Sequence, residues 1–323
     1  MIPMTQLKIQ EANNGLLEHI DYEITNACNL HCVHCSAEAG VGNPPQLTFI
    51  RKILKEAKDL GLKRFGITGG EPFLFPQELA SLIDYSYDAL GCKVHIHTNG
   101  QLIEENLDLV VSRANKLENL TLPLLGDEKI HDLNTGVKGS YQNVKKSAQL
   151  LLDNNINLTM FLIPLSNNYS VLGNATREFF SEGMETFRVM KLSPGGRSRQ
   201  KYETLKLNDH QRTEFIKTLN YLERTMGINF EAGYCTRSLY PGLRSLEHHD
   251  KCMAGVNRLH INSEGSVFTC TSSSGFEELS IGNLYDKSLR KIWEDVVKKR
   301  KKNPQNTEIC KVREYYHKLQ KTL

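Results

Sequence analysis

The chain has 323 residues, with 40 Lys and Arg against 37 Asp and Glu and a formal charge of +3. That near balance lacks the general basic footprint of a nucleic-acid binder, and no apolar run is long enough to cross a bilayer. The opening MIPMTQLKIQEANN is too polar for a signal peptide. A cytoplasmic location is therefore expected, where eight cysteines point to metal ligation rather than disulfides.

From residue 20 to residue 192, short β-rich runs alternate with helix-length amphipathic stretches. The strand candidates are IDYEIT (20–25), KRFGIT (63–68), KVHIHT (93–98), LENLTLPL (117–124), NLTMFLI (157–163) and ETFRVMKL (185–192). In the first helical stretch Phe49, Ile50, Ile53, Leu54, Ala57 and Leu60 share one face, and Thr48 stands where an N-cap is expected. Repeated strand–helix units imply a parallel sheet with helices outside, because crossovers are right-handed. Six such units predict an α/β fold, a partial (β/α)6 TIM-like barrel whose ligands gather at the C-terminal strand ends. Three unusual stretches fall on that rim: CNLHCVHC (28–35), GGEP (69–72) and the NG of HTNG (97–100). Cys92, before the third strand, reads as packing only.

The pattern changes after SPGGR (193–197). A helix over about 207–226 leads to INFEA (228–232), and RLHI and SVFTC flank a turn at NSEG (262–265), which reads as a β-hairpin. A basic helix around 286–302 ends in KKRKK (298–302), read as a solvated face. The division expected is a barrel over 1–200 and a small α+β iron–sulfur extension over 201–323. No internal repeat or low-complexity segment interrupts either part.

Three cysteines on one tight loop can hold three irons of a 4Fe–4S cube and leave the fourth open to a substrate or cofactor. Zinc would need a fourth ligand, which His31 or His34 can offer, but zinc leaves the other rim stretches unexplained. CxxxCxxC placed just after the first strand resembles the signature of the radical S-adenosylmethionine (SAM) superfamily. The resemblance covers about residues 19–195. It implies reductive cleavage of SAM to methionine and a 5′-deoxyadenosyl radical, which takes a hydrogen atom from substrate. It makes Cys28, Cys32 and Cys35 the cluster ligands and lays Gly69, Gly70, Glu71 and Pro72 along the methionine amino group. Bare glycine backbone suits close approach to a ligand. Thr98 and Asn99 would meet the ribose, and His34 would touch the adenine. Two departures stand out. Pro123 and Leu125 replace a polar pair that many relatives carry after the fourth strand, and Asn134 stands where an arginine is usual. Harmless divergence and an altered contact are both open there.

Four further cysteines, Cys235, Cys252, Cys270 and Cys310, lie in the last ninety or so residues, enough to ligate a second cube. With IGNLYDKSLRKIW (281–293), their arrangement resembles the SPASM and Twitch extensions that bind auxiliary clusters in radical SAM enzymes, and looks like the one-cluster Twitch form. On that resemblance Cys252, Cys270 and Cys310 are ligands and Cys235 is the fourth, while Arg313 occupies the place of a usual last cysteine. Two other readings of Cys235 stay open: a hydrogen-atom donor beside an open iron, and an inert buried thiol.

The relatives implied modify ribosomally made peptides by crosslinking, epimerisation or decarboxylation, or oxidise or decarboxylate small metabolites. Peptide modification is the first expectation and a small-molecule substrate the alternative. About nineteen residues precede the first strand, too few for a leader-binding domain, so a separate protein would hold a leader. A flavodoxin- or ferredoxin-type donor is the expected electron source. No membrane partner is expected, and a nucleic-acid partner is disfavoured. A simple iron–sulfur electron carrier would have no use for an open iron or a SAM rim.

Overall fold

The computed structural model describes residues 15–245 and 252–302, with Val312 and Glu314. The six strands expected are β1 (His19–Glu23), β2 (Arg64–Thr68), β3 (Lys93–His97), β4 (Leu117–Leu124), β5 (Leu158–Leu162) and β6 (Thr186–Val189). They pair in parallel in sequence order. Between them run α1 (Leu47–Asp59), α2 (Pro76–Asp84), α3 (Glu128–Thr135), α4 (Ser140–Asp153) and α5 (Tyr169–Ser181), with only short helical turns between β3 and β4.

The sheet is longer than six strands. β7 (Asn229–Ala232), which follows α6 (Asp209–Met226), pairs in parallel with β6, and β8 (Arg244–Ser245) pairs in parallel with β7. On the other side β9 (Arg258–Ile261) runs parallel to β1, and β10 (Ser266–Phe268) and β11 (Gly282–Asn283) add antiparallel strands. The order β11-β10-β9-β1-β2-β3-β4-β5-β6-β7-β8 is an open, partial barrel. The expected hairpin is present, and it is joined to the barrel sheet rather than forming a separate layer.

Alternation along each strand decides what faces where. Ile20, Phe65, Ile67, Val94, Ile96, Leu120, Leu122, Met160 and Phe187 are fully buried, in one apolar core with Ile50, Leu54, Leu79, Val144, Leu151 and Phe179 of the helices. Each such side chain contributes about 1.5–3 kcal/mol. The opposite face, at His19, Asp21, Glu23, His95, His97, Thr121, Phe161 and Arg188, lines the concave side with polar and aromatic groups. Glu23 accepts a hydrogen bond from His260 Nε2 across 2.7 Å, with both side chains buried, and this pair ties β1 to β9.

One local expectation fails. α1 begins at Leu47 with Gln46 as its N-cap residue, and no side chain caps it. The Leu47 N–H donates to Pro45 O and Ile50 N–H to Gln46 O, so Thr48 falls inside the first turn and cannot cap. Near the C-terminus α7 (Leu289–Lys302) buries Ile292 and Trp293, and Trp293 Nε1 donates to Gly15 O. Within the basic run Lys298, Lys299 and Lys301 are exposed, but Arg300 turns inward and donates to Val256 O at 2.7 Å.

Candidate active site

The three rim stretches meet through hydrogen bonds. The loop carrying Cys28, Cys32 and Cys35 leaves β1 and is pinned at both ends. Cys28 N–H donates to Gly40 O at 2.8 Å and Gly40 N–H to Asn26 O at 2.9 Å. Its middle is held by α3, with His31 N–H donating to Thr135 O and Val33 N–H to Asn134 O, both at 2.9 Å. Two sulfurs receive donors: Leu30 N–H at 3.5 Å and Asn99 Nδ2 at 3.8 Å on Cys28, and Ala39 N–H at 3.4 Å on Cys35.

GGEP closes on the chain itself. Gly70 N–H donates to Thr25 O at 2.8 Å and Glu71 N–H to Ala27 O at 2.7 Å. A Cβ on Gly69 would lie 2.3 Å from Thr25 O, and one on Gly70 1.9 Å from Ala27 O. The close approach that these bare glycines make here is to the chain itself, at residues 25–27 immediately before Cys28. Pro72 opens a short 3-10 turn and is buried with Phe73. Glu71 is fully buried and clamps GGEP to HTNG: Oε1 accepts from Thr98 Oγ1 at 2.8 Å and Phe73 N–H at 3.0 Å, Oε2 from Asn99 N–H at 2.7 Å. Burial raises its carboxyl to about 7 against those donors. Asn99 Nδ2 also donates to Asn29 Oδ1 at 2.7 Å, so the third rim stretch touches the first directly.

One group on this rim was not expected from the sequence, and a second stood out there only as a departure from the usual pattern. Arg197, in SPGGR after β6, donates to Cys32 O at 3.0 Å and to Ala39 O. Gly196, at φ +56°, sits so close that a Cβ would meet Ser36 O at 2.4 Å and Cys35 O at 2.7 Å. The pairing of two glycines with an arginine beyond the last barrel strand was the available signal. The second group is Asn134, which stands where an arginine was usual. Its Nδ2 donates to Leu125 O at 3.3 Å, Asn167 Nδ2 donates to its Oδ1 at 2.8 Å, and its carbonyl holds the cysteine loop. Leu125 itself is fully buried.

The electrostatics suit a cationic cluster. Burial raises the Cys28 thiol, and burial followed by the neighbouring Cys35 and Cys28 thiols pushes Cys32 up to about 12. Such crowded thiols keep their protons until a metal cation inverts the local preference. Sulfur-directed N–H donors and the Arg197 charge then favour the thiolate form. Burial, then His131 and Arg197, lowers His34 to about 4, leaving a neutral imidazole ring on the loop whose Nδ1 has no hydrogen-bond partner among the described residues. Three cysteines on a braced loop, with donors on two of the sulfurs, fit an iron–sulfur cluster with one iron left free of protein.

The later cysteines are divided. Cys235 follows β7 in a short helical turn, Cys252 precedes β9 and Cys270 follows β10, all half-buried. None of the seven described cysteines is in a disulfide, while Cys310 and Arg313 lie outside the described residues. The segment after Cys270 reaches SPGGR (193–197). Ser193 Oγ donates to Ser272 O at 3.4 Å, and a Cβ on Gly195 would lie 2.9 Å from Gly275 Cα. SPGGR thus touches both cysteine-bearing regions. Cys92 is fully buried in the apolar core.

Comparison with known proteins gives the same picture. A model of the radical SAM superfamily matches residues 22–170, and a model of the SPASM iron–sulfur cluster-binding domain matches residues 252–312. The antilisterial bacteriocin subtilosin biosynthesis protein AlbA of Bacillus subtilis is 26% identical over 85% of this chain and 59% of its own length. A GTP 3′,8-cyclase of Clostridium botulinum is 23% identical over 88% of this chain and 90% of its own. The structure of Streptococcus suis SuiB bound to precursor peptide SuiA superposes with a TM-score of 0.67 at 21% identity, covering 89% of this chain and 66% of that one. The chain thus spans less than two thirds of AlbA and of SuiB. Radical SAM domains bind SAM and a 4Fe–4S cluster, and SPASM domains bind auxiliary iron–sulfur clusters. Rim geometry, sheet order and both matched models agree: the chain is a radical SAM superfamily enzyme with a C-terminal SPASM domain.

Proposed function

We propose that this enzyme modifies a ribosomally made peptide, by crosslinking, epimerisation or decarboxylation, after hydrogen-atom abstraction. The observation that carries the substrate class is the likeness of 89% of the chain to SuiB, solved with its precursor peptide, alongside the sequence similarity to AlbA. A small-molecule substrate is the second reading, favoured by an alignment that spans 90% of a GTP 3′,8-cyclase.

In this reading the bound cluster and SAM supply reductive cleavage and the 5′-deoxyadenosyl radical. Cys28, Cys32 and Cys35 hold the cluster. Arg197 and the α3 carbonyls brace the backbone of their loop. Glu71 fixes GGEP and HTNG in register, so the backbone of Gly69, Gly70 and Pro72 and the side chains of Thr98 and Asn99 would together hold SAM. The neutral ring of His34 would touch the adenine. The polar concave wall orients substrate below this rim. Residues 1–200 carry this chemistry, and residues 201–323, with Cys235, Cys252, Cys270 and Cys310, hold the auxiliary cluster. A flavodoxin- or ferredoxin-type protein supplies electrons in the cytoplasm. No helix among the described residues is long and apolar enough to cross a membrane.

The test is anaerobic incubation of cluster-loaded enzyme, SAM and reductant with short peptides encoded beside its gene, read by mass spectrometry with deuterium tracing. A mass change or deuterium uptake at one residue supports the peptide reading. Production of 5′-deoxyadenosine with unaltered peptides, and with GTP or another metabolite consumed, would replace it with the second.

A further inference from the structure

The concave wall of the barrel carries a cluster that the rim chemistry does not use. His19 and Asp21 lie two residues apart on β1 and share a face. His95 lies on β3, and the register Asp21↔Gly66↔His95 puts a single glycine between it and the aspartate. A Cβ on Gly66 would stand 2.1 Å from Asp21 Oδ1 and 2.4 Å from His95 Nε2. Only a residue without a side chain lets these groups reach each other across the middle strand. His19 Nε2 and His95 Nε2 each lie 3.0 Å from Asp21 Oδ1, and the three atoms are all within 4.8 Å of one another.

We infer that His19, Asp21 and His95 form a binding site for one divalent transition-metal ion, distinct from both cysteine sets. Two imidazole nitrogens and a carboxylate oxygen are a donor set suited to zinc or a late first-row metal rather than to magnesium or calcium. Metal bonds of about 2.0–2.2 Å at tetrahedral angles place neighbouring ligand atoms roughly 3.3 Å apart. The two imidazole-to-carboxylate spacings of 3.0 Å reach that with shifts of a few tenths of an ångström, and the two imidazole nitrogens lie within 4.8 Å of each other. Both imidazoles converge on one carboxylate oxygen, and among the described residues no hydrogen bond reaches the other, which is free to ligate. The fourth position faces the lumen, since Asp21 keeps 16% of its side chain exposed while the histidines keep 10% and 8%. His97 is held apart from the set. Its Nδ1 pairs with Thr121 Oγ1 at 2.7 Å, and its ring stands edge-on to His95 at 5.2 Å, buttressing that ligand. The ligands sit on β1 and β3 of one sheet, on either side of β2, so the site is pre-formed and binding orders little chain.

The experiment uses the full chain with its clusters loaded anaerobically, so that the cysteines are occupied. The protein is equilibrated with zinc, passed over a chelating resin and analysed for zinc and iron. The expected result is about one zinc per wild-type chain, lost at least tenfold in Asp21→Asn and in His95→Asn while iron stays unchanged. Zinc-edge X-ray absorption of the wild type should show only nitrogen and oxygen at about 2.0–2.1 Å, with imidazole scattering and no sulfur near 2.3 Å. That second readout needs no variant to fold. Equal zinc in wild type and variants, no retained zinc, or a sulfur shell would each overturn the site and leave a structural hydrogen-bond cluster. None of these outcomes depends on which substrate the enzyme takes.

Discussion

Replacing Gly70 with alanine isolates the contact that seats GGEP against the cysteine loop. Gly70 is not in the left-handed region, so the new methyl group meets no conformational penalty of its own. It meets backbone instead. The Cβ would sit 1.9 Å from Ala27 O, and that oxygen must retreat to the 3.4 Å of ordinary contact. The retreat breaks Glu71 N–H to Ala27 O and strains Gly70 N–H to Thr25 O. Overpacking of this kind costs about 1–3 kcal/mol, and leaving a buried backbone group unpaired adds about 1–3 kcal/mol. A loss of about 4 kcal/mol is expected, concentrated at residues 25–28. Gly40→Ala is the matched control. Gly40 bridges Ala27 in the same loop, yet a Cβ there meets nothing within 4 Å, so its change should stay within about 0.5 kcal/mol. Urea unfolding gives the stabilities, and iron analysis after anaerobic loading shows whether Cys28 still contributes to a cluster. Gly70→Ala matching Gly40→Ala in both would refute the claim that GGEP braces the cysteine loop.

Other consequences are independent of that contact. The Glu71 carboxyl is raised to about 7 from an ordinary 4.5, so between those values the folded chain holds a proton that the unfolded chain has lost. The stability from this proton is full below pH 4.5 and gone once pH passes about 7, a fall of about 3 kcal/mol. Glu71→Gln should abolish that slope in urea titrations, and an unchanged slope would assign it to other groups. Arg197→Ala removes two donors and a positive charge from the cysteine loop. It should make the SAM-site cluster harder to reduce in redox titration, with Arg197→Lys recovering part of the shift; identical potentials in all three proteins would deny it that role. Loaded wild-type chain should hold about eight irons if each of two cubes contributes four. The Cys28, Cys32 and Cys35 triple alanine variant should keep roughly half, and a variant with no iron would remove the second cluster.

The barrel was legible because its strands are buried on one face by apolar residues at period two and punctuated by rim glycines. Strand limits such as 117–124 for β4 came directly from that pattern. β7 and β8 were harder to place. INFEA is too short to show on which sheet it pairs, and Arg244–Ser245 has only two residues to carry a pattern. The capping expectation at Thr48 failed because the chain entered the helix two residues early, through Pro44 and Pro45. Such an entry depends on how the loop packs, which residue types alone do not encode.

The three rim stretches were visible because each is chemically unusual where it stands. Arg197 was not, since its importance lies in reaching Cys32 O from 165 residues away. His19, Asp21 and His95 are similarly silent in sequence, because their convergence depends on the register that sets Gly66 between two strands. The purpose of Gly69 and Gly70 was only half legible. Their bareness predicted close approach, while the partner they approach, residues 25–27, is set by the fold.

The measurement that bears most directly on the central claim is 5′-deoxyadenosine formation from SAM under anaerobic reducing conditions. Wild-type enzyme should form it, and Cys28→Ala, Cys32→Ala and Cys35→Ala should each reduce it to background, while Cys92→Ala, in the apolar core, leaves it intact. No 5′-deoxyadenosine from fully loaded wild type, or undiminished formation in the three loop variants, would contradict the assignment of this rim as the site of radical generation.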